Sequence, residues 1–213
     1  MLLILARHGN TFEKGDKVVW VGARTDLPLT AKGREQAAAL AIGLQPVRPR
    51  IERIVCGPLK RTREHAEIVA GKLALPMPIA DERLREIDYG LWEGKSTEEI
   101  HGFGGEIELK AWNERGQWPQ TPGWAPSAEA IAANVAQLAG ECAATIGEGD
   151  AALLVTSNGI LKFFLKLVPG AFEDMAARGA LKVATGHACA LRHSERGWEV
   201  VFWDREPSQL GLG

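Results

Sequence analysis

Residues 2–11 read Leu-Leu-Ile-Leu-Ala-Arg-His-Gly-Asn-Thr, and this stretch decides the fold. Residues 2–6 form a short apolar run, which is typical of a strand buried on both faces of a sheet. The run ends directly in polar residues, as a strand does where it leaves a sheet. Similar apolar runs occur at residues 53–56 and 151–156. We therefore expect these three runs to be buried strands of one central sheet.

Helical patterns separate these strands. Apolar residues recur at helical spacing over residues 30–44, 58–73 and 127–146 and again after residue 156, with Thr30, Pro58 and Ser127 at the expected starts. Such alternation predicts a mostly parallel sheet that is covered on both faces. Two final strands, near residues 187–192 and 198–203, are joined by a polar turn and resemble a hairpin. The predicted fold class is α/β, a three-layer α/β/α sandwich whose mostly parallel sheet has one antiparallel strand.

The chain length and one unusual segment define the domain organisation. A chain of 213 residues fits a single domain, 1–213, with a sizeable insertion. Residues 88–126 interrupt the alternating pattern and hold four of the seven tryptophans among many glycines and prolines. We expect only short helices there, near residues 97–101 and 105–115. Because tryptophans have a large apolar area, we also expect residues 92–124 to overhang the functional site, with at least one tryptophan bordering it. The alternative is that all four tryptophans anchor the insertion to the core.

Composition excludes several classes of function. The 25 Lys and Arg residues nearly balance the 27 Asp and Glu residues, so neither nucleic acid nor an anionic membrane surface is an expected partner. The longest apolar runs are far shorter than the roughly 18 residues of a spanning helix, and the six apolar residues before Arg7 are too few for a secretion signal. Three cysteines without paired spacing suit a reducing compartment. The expected location is cytoplasmic.

Chemically capable residues follow the predicted strands. Ligands of open α/β sheets bind beyond the carboxyl ends of strands. His8 stands there as a possible nucleophile or base, with Arg7 beside it as a possible phosphate or carboxylate ligand. Arg61 falls in the first turn of the next predicted helix, where free backbone N–H groups favour anions. The alternatives are a His8 that only bonds a neighbouring loop and an Arg61 that is solvated on the surface.

Glu86 is a candidate acid. It stands between Leu84 and Ile87 just before a glycine turn. A carboxyl group held against apolar neighbours can stay protonated near neutral pH and donate a proton. The alternative is a surface salt bridge between Glu86 and Arg83 or Arg85.

Four segments together resemble the histidine phosphatase superfamily, in its phosphoglycerate mutase-like branch. The resemblance covers nearly the whole chain, and its motifs occur in the family's order. The matching segments are Arg7-His8-Gly9-Asn10-Thr11, residues 26–37 (Asp-Leu-Pro-Leu-Thr-Ala-Lys-Gly-Arg-Glu-Gln-Ala), Pro58-Leu59-Lys60-Arg61-Thr62, and residues 84–94 (Leu-Arg-Glu-Ile-Asp-Tyr-Gly-Leu-Trp-Glu-Gly).

The resemblance implies both an activity and a mechanism. His8 would attack phosphorus to give a phosphohistidine, Arg7 and Arg61 would bind the phosphoryl oxygens, and Glu86 would protonate the leaving oxygen. Water would then hydrolyse the intermediate. Such chemistry needs no metal and no other cofactor, so none is expected, and the expected partner is a small phosphorylated substrate. The implied enzyme is a metal-independent phosphoric monoester hydrolase.

One departure from the family pattern leaves alternatives open. The family carries a second histidine after its late strand, and here Asn158 stands in its place. His187 stands where an asparagine is frequent, so the two residues either exchange roles at one phosphate or are unrelated substitutions. The remaining histidines, His65 among them, are expected to pack or to face solvent. The alternative functions are a catalytically impaired member that binds a phosphorylated ligand or a protein partner, and a phosphomutase.

Overall fold

The computed structural model describes residues 1–120 and 123–212, which form eight strands and seven α-helices. The strands are β1 (Leu2–Arg7), β2 (Ile51–Cys56), β3 (Ile79–Ala80), β4 (Asp88–Tyr89), β5 (Trp124–Ala125), β6 (Ala151–Thr156), β7 (Ala188–Ser194) and β8 (Gly197–Arg205). The helices are α1 (Ala31–Leu44), α2 (Lys60–Leu73), α3 (Thr97–Gly102), α4 (Glu106–Arg115), α5 (Ala128–Thr145), α6 (Asn158–Leu161) and α7 (Ala171–Ala177).

Six strands form the central sheet in the order β3-β2-β6-β1-β7-β8. Strand β1 pairs in parallel with β6, and β2 pairs in parallel with both β6 and β3. Strand β7 runs antiparallel to both of its neighbours, β1 and β8. The predicted fold class, with a mostly parallel sheet and one antiparallel strand, is confirmed.

Apolar side chains pack on both faces of the sheet. Along β1, Leu3 and Leu5 belong to one hydrophobic cluster, whereas Ile4 and Ala6 belong to the other. Helices α1 and α2 cover the second cluster, and helix α5 with residues 162–167 covers the first. A strand that is apolar on both faces is therefore explained by a helical layer on each side.

The structure differs from the predicted helices in three places. Helix α2 begins at Lys60 rather than at Pro58, because Leu59 is extended and the Lys60 N–H donates to Asp26 Oδ1 at 2.6 Å, which caps the helix from another loop. The helix expected after β6 is a single turn, α6, followed by a 3₁₀ segment. Helix α7 was not predicted, because it buries no residue and so shows no apolar stripe.

Two short antiparallel strands join the two ends of the tryptophan-rich insertion. Strand β4 pairs with β5, Asp88 opposite Ala125 and Tyr89 opposite Trp124. Helices α3 and α4 lie where short helices were predicted, while residues 121 and 122 are outside the described part. Edge-to-face ring contacts join the buried indoles within the insertion, Trp92 to Trp124 and Trp112 to Trp124. Within residues 1–120 and 123–212, helices of bilayer-spanning length and hydropathy are absent.

Candidate active site

A cavity of about 730 Å³ lies at the carboxyl ends of β1 and β6. These strands are parallel neighbours with Arg7 opposite Thr156, so the residues that follow each strand meet at one edge of the sheet. Five of the six predicted site residues line the cavity: Arg7, His8, Arg61, Glu86 and Asn158. Trp112 of the insertion also lines it, together with Trp20 from the loop after β1, as expected for a bordering tryptophan.

His8 is buried and held in one tautomer. Its Nδ1 lies 2.8 Å from the carbonyl oxygen of Gly9, which can only accept, so Nδ1 carries the proton. Burial lowers the pKa of His8 well below its ordinary value, and the nearby charges of Arg61 and Arg7 lower it further. The imidazole is therefore neutral at physiological pH and has its lone pair on Nε2. That is the form that a nucleophilic histidine requires.

His65 supports the loop that carries His8. Its Nδ1 accepts a hydrogen bond from the Gly9 N–H at 3.1 Å, and the ring is fully buried on helix α2. Burial lowers the pKa of His65 to about 3. Sequence reasoning predicted packing or exposure for this residue and missed its contact with the site. Its spacing of four residues from Arg61, one turn along the same helix, was the available signal.

Arg7 and Asn158 are anchored by the same residue. One Arg7 terminal nitrogen donates to the Val183 carbonyl oxygen at 2.6 Å, and the Val183 N–H donates to Asn158 Oδ1 at 2.9 Å. Since Oδ1 of Asn158 accepts that bond, its amide NH₂ remains as a donor group. Arg7 Nε is buried with no protein partner in the described structure. Arg7 and Asn158 both line the cavity, so their remaining side-chain donors are the candidates for binding an anion there.

Arg61 is buried and is not the solvated surface residue of the alternative prediction. Its guanidinium donates to the backbone carbonyl oxygens of Thr25, at 2.8 Å, and Gly22, at 3.0 Å. These two bonds fix its plane and use two of its five N–H donors. Its position in the first turn of α2 places permanent positive charge beside His8.

Glu86 is buried against the end of β6. Its two carboxyl oxygens accept from the backbone N–H groups of Ile87, at 2.9 Å, and Gly159, at 3.2 Å. Burial raises the pKa of Glu86, an effect that these hydrogen bonds and the charges of Arg61 and Arg7 oppose. A carboxyl group in this setting can donate a proton near neutral pH.

The alternative prediction for Glu86, a surface salt bridge, is wrong. Arg83 pairs instead with Asp81 and Glu141, and Arg85 pairs with Glu82.

The structure does not bring His187 to this cavity. Its ring Nδ1 lies 2.9 Å from Asp204 Oδ1 on β8. Asn158 follows β6 and His187 precedes β7, and β1 lies between these two strands in the sheet. Two strand spacings of about 4.8 Å therefore separate their backbones. This corrects the hypothesis that His187 and Asn158 converge on one phosphate.

Lys162 is a cavity residue that sequence reasoning missed. It lies four residues after Asn158, lines the cavity and is only 2% exposed. Its Nζ lies 3.6 Å from the ring centroid of Trp112. The available signal was a single lysine inside the apolar run Ile-Leu-Lys-Phe-Phe-Leu at residues 160–165.

The fold and the site define a class of α/β protein that has a histidine and two arginines at one edge of its sheet. Comparison with known protein families shows which family this is. The sequence profile of the histidine phosphatase superfamily (branch 1) matches residues 3–206, and the chain belongs to this superfamily.

Curated relatives include the probable phosphoglycerate mutase GpmB of Salmonella choleraesuis, 35% identical over 103 residues. These residues are 46% of this chain and 46% of that protein. The Escherichia coli protein of the same name is 34% identical over 96 residues, 45% of this chain and 42% of its own length. The chain therefore matches less than half the length of these relatives.

Solved structures are similar over nearly the whole chain. A protein described as mycobacterial hydrolase 1 has a TM-score of 0.82 at 25% identity, with 96% of this chain and 98% of that chain covered. The mycobacterial glucosyl-3-phosphoglycerate phosphatase has a TM-score of 0.78 at 25% identity, with 96% and 99% covered. The α-ribazole phosphatase of Shigella flexneri, at 22% identity and a TM-score of 0.74 over 97% of both chains, shares the fold.

Proposed function

We propose that this protein is a metal-independent phosphatase that hydrolyses a small phosphomonoester through a phosphohistidine at His8. One observation carries the proposal. A neutral, tautomer-fixed imidazole, one buried and one half-buried guanidinium group, and a buried carboxyl group of raised pKa line one cavity. Phosphoryl transfer depends chiefly on positioning and on positive charge around the phosphoryl oxygens, and this arrangement supplies both.

In the first step, His8 Nε2 attacks phosphorus. The P–N bond forms while the bond from phosphorus to the ester oxygen breaks, and Glu86 gives its proton to the departing oxygen. Arg7 and Arg61 offset the negative charge of the transferring group. The products of this half-reaction are the free alcohol, phosphohistidine and the Glu86 carboxylate.

In the second step, a water oxygen attacks the phosphohistidine. The Glu86 carboxylate accepts a proton from this water, the P–N bond breaks, and the electron pair returns to His8 Nε2. Inorganic phosphate leaves, and both side chains regain their initial protonation states. The net reaction consumes one water per ester and needs no other reactant.

Hydrolysis is the favoured outcome over transfer back to the substrate. A phosphomutase must protect its phosphohistidine from water, whereas this cavity is bordered by exposed residues such as Lys14 and Val18. The named phosphatase at 25% identity covers almost the whole chain, whereas the mutase-named relatives match less than half of it. The cavity volume falls in the range of small-molecule sites, about 300–1,000 Å³, which supports a substrate larger than phosphate alone.

Asn158 favours a second candidate function, a catalytically impaired member that binds a phosphorylated ligand. A neutral amide stabilises a phosphoryl group less than a charged donor does. Such a protein would bind inorganic phosphate and release none from an ester. The compartment proposed for either function is the cytoplasm, because three buried, free thiols suit a reducing environment.

The test of the proposed function is the covalent intermediate. Brief exposure to a ³²P-labelled phosphomonoester in the presence of a chelator should leave acid-labile, base-stable label on the protein. His8→Ala should remove both label and turnover. His101→Ala is the matched control, because His101 is exposed and does not line the cavity. Full turnover by His8→Ala would refute the phosphohistidine route, and phosphate binding without turnover by the unmodified protein would favour the impaired member.

A further inference from the structure

Lys162 is buried, and in the described part of the chain its ammonium group has only one hydrogen-bond acceptor. It is 2% exposed, at the start of the 3₁₀ segment that follows α6. Its Nζ donates to the Trp112 carbonyl oxygen at 3.5 Å, which is a long hydrogen bond, and lies over the Trp112 ring. An ammonium group has three donors. In the described part of the chain, the remaining donors of Lys162 have no recorded protein acceptor.

The surroundings of Lys162 hold it near the balance between its charged and neutral forms. Burial lowers its pKa to about 7. Glu86, on the segment before β4, raises the pKa, and Arg7, at the end of β1, lowers it. Unlike Arg7 and Arg61, whose guanidinium groups stay charged, Lys162 can gain or lose its charge within the physiological range.

The position of Lys162 relates it to the anion-binding donors. Asn158 and Lys162 are four residues apart along one turn, so their side chains project from the same face. Both line the cavity together with Arg7 and Glu86. An anion that reaches this cavity would therefore find an ammonium group with spare donors beside the Asn158 amide.

We propose that Lys162 is a further anion-binding residue of this site, which contacts bound phosphate and takes up a proton when phosphate binds. This inference rests on the proposed function of the cavity. Phosphate brings negative charge close to the buried side chain of Lys162 and so favours its ammonium form. By linkage, the ammonium form favours phosphate to the same extent. Lys162 thereby supplies positive charge one helical turn from the neutral side chain of Asn158.

The purely structural alternative is that Lys162 only supports Trp112. A cation stacked on an indole stabilises packing without touching a ligand. The two roles differ in their effect on phosphate binding, which does not require turnover and can be measured on the intact protein.

The experiment is isothermal titration calorimetry of inorganic phosphate with the unmodified protein, Lys162→Met and Lys166→Met. Lys166→Met is the matched control, since Lys166 is exposed on the same segment and does not line the cavity. At pH 6, where Lys162 is charged, we expect Lys162→Met to weaken the phosphate Kd about tenfold or more. The difference should shrink as the pH rises above the pKa of Lys162 in the complex.

Proton uptake gives an independent readout. Titrations at pH 8 in two buffers of different ionisation enthalpy should show more protons taken up per phosphate bound by the unmodified protein than by Lys162→Met. The ionisation of phosphate and of His8 affects both proteins and cancels in the difference. Lys162→Arg should keep the affinity and lose the additional proton uptake, which preserves the test if Lys162→Met does not fold.

Three outcomes would overturn the inference. If Lys162→Met binds phosphate with unchanged affinity and unchanged proton uptake, Lys162 has only a structural role. If Lys162→Arg takes up as many protons as the unmodified protein, the proton does not go to Lys162. If the unmodified protein binds no phosphate at any pH, the proposed function fails together with this inference.

Discussion

The backbone N–H of Gly9 donates to Nδ1 of the fully buried His65 at 3.1 Å, and this hydrogen bond joins the loop of the candidate nucleophile to helix α2. Arg61 lies on the same helix, one turn earlier. The contact therefore fixes the position of His8 relative to one of the two arginines that surround it.

Removing the acceptor on His65 should lower both stability and turnover. His65→Leu leaves the buried Gly9 N–H without a partner, which costs about 1–3 kcal/mol of unfolding free energy. It also frees the loop of His8, so we expect kcat to fall at least about tenfold. His65→Asn can keep an acceptor near the position of Nδ1 and should retain more of both. Denaturant unfolding and steady-state kinetics test this, and equal activity of the two variants would contradict the positioning role.

His65 should also make the fold sensitive to acid. Burial lowers its pKa to about 3 in the folded protein, against about 6.5 in the unfolded chain. Between these values the unfolded state binds more protons, so stability is lost as the pH falls from 6.5 towards 3. The slope approaches about 1.4 kcal/mol per pH unit for one group.

The measurement for this prediction is unfolding free energy against pH. His65→Asn removes the titrating ring and should lose less stability between pH 6.5 and 4 than the unmodified protein. His8 titrates in the same direction and remains in both proteins, so it cancels in the comparison. Parallel curves for the two proteins would show that His65 does not bind this proton on unfolding.

Loss of the acid at Glu86 should depend on the leaving group. Glu86→Gln cannot protonate a departing oxygen, so turnover of an alkyl phosphate should fall about 10²–10⁴-fold, and turnover of an activated aryl phosphate should fall much less. Because burial raises the pKa of Glu86, the alkyl phosphate reaction should decline as the pH rises through that pKa. Glu82→Gln, at an exposed position, is the control. Equal losses for both substrates would contradict the acid role.

Gly159 should tolerate no side chain. A Cβ at this position would lie against Glu86 Oε1 and 2.6 Å from the Tyr89 hydroxyl oxygen. Gly159→Ala should therefore displace the Glu86 carboxyl group and lower kcat about tenfold or more. Gly71→Ala, where a Cβ meets nothing within 4 Å in the last turn of α2, should leave kcat unchanged and stabilise the helix by up to roughly 0.5–1 kcal/mol. An active Gly159→Ala variant would show that the carboxyl group can shift without penalty.

Local sequence patterns predicted the elements that bury an apolar face. Strands β1 and β6 are apolar along their length, and helix α5 has both a serine cap and an apolar stripe, so periodicity was sufficient. Helix α7 has no buried residue and gave no such signal. The start of α2 depends on Asp26, from a loop 34 residues earlier in the chain, and no local pattern contains that contact.

The candidate site likewise contains residues that the sequence predicted and contacts that it did not indicate. Arg7 and His8 directly follow one predicted strand and Arg61 lies in the first turn of the helix after another, so the topology of the sheet brings them together. Val183, by contrast, anchors Arg7 from 176 residues away, and no sequence feature marks it. The interpretation of His187 failed because a single sequence does not give the order of strands in a sheet.

The two-residue ladder between β4 and β5 has a consequence for how this protein family can diversify. It brings the two ends of the insertion side by side, so the entropic cost of a longer insertion is small, about 0.6 kcal/mol per doubling of loop length. The insertion begins at β4, and four of the site residues precede β4 in the chain: Arg7, His8, Arg61 and Glu86. The insertion can therefore change in length and sequence while Arg7, His8, Arg61 and Glu86 stay in place, and Lys162, which stacks on Trp112, is the cavity residue that such a change would affect most directly.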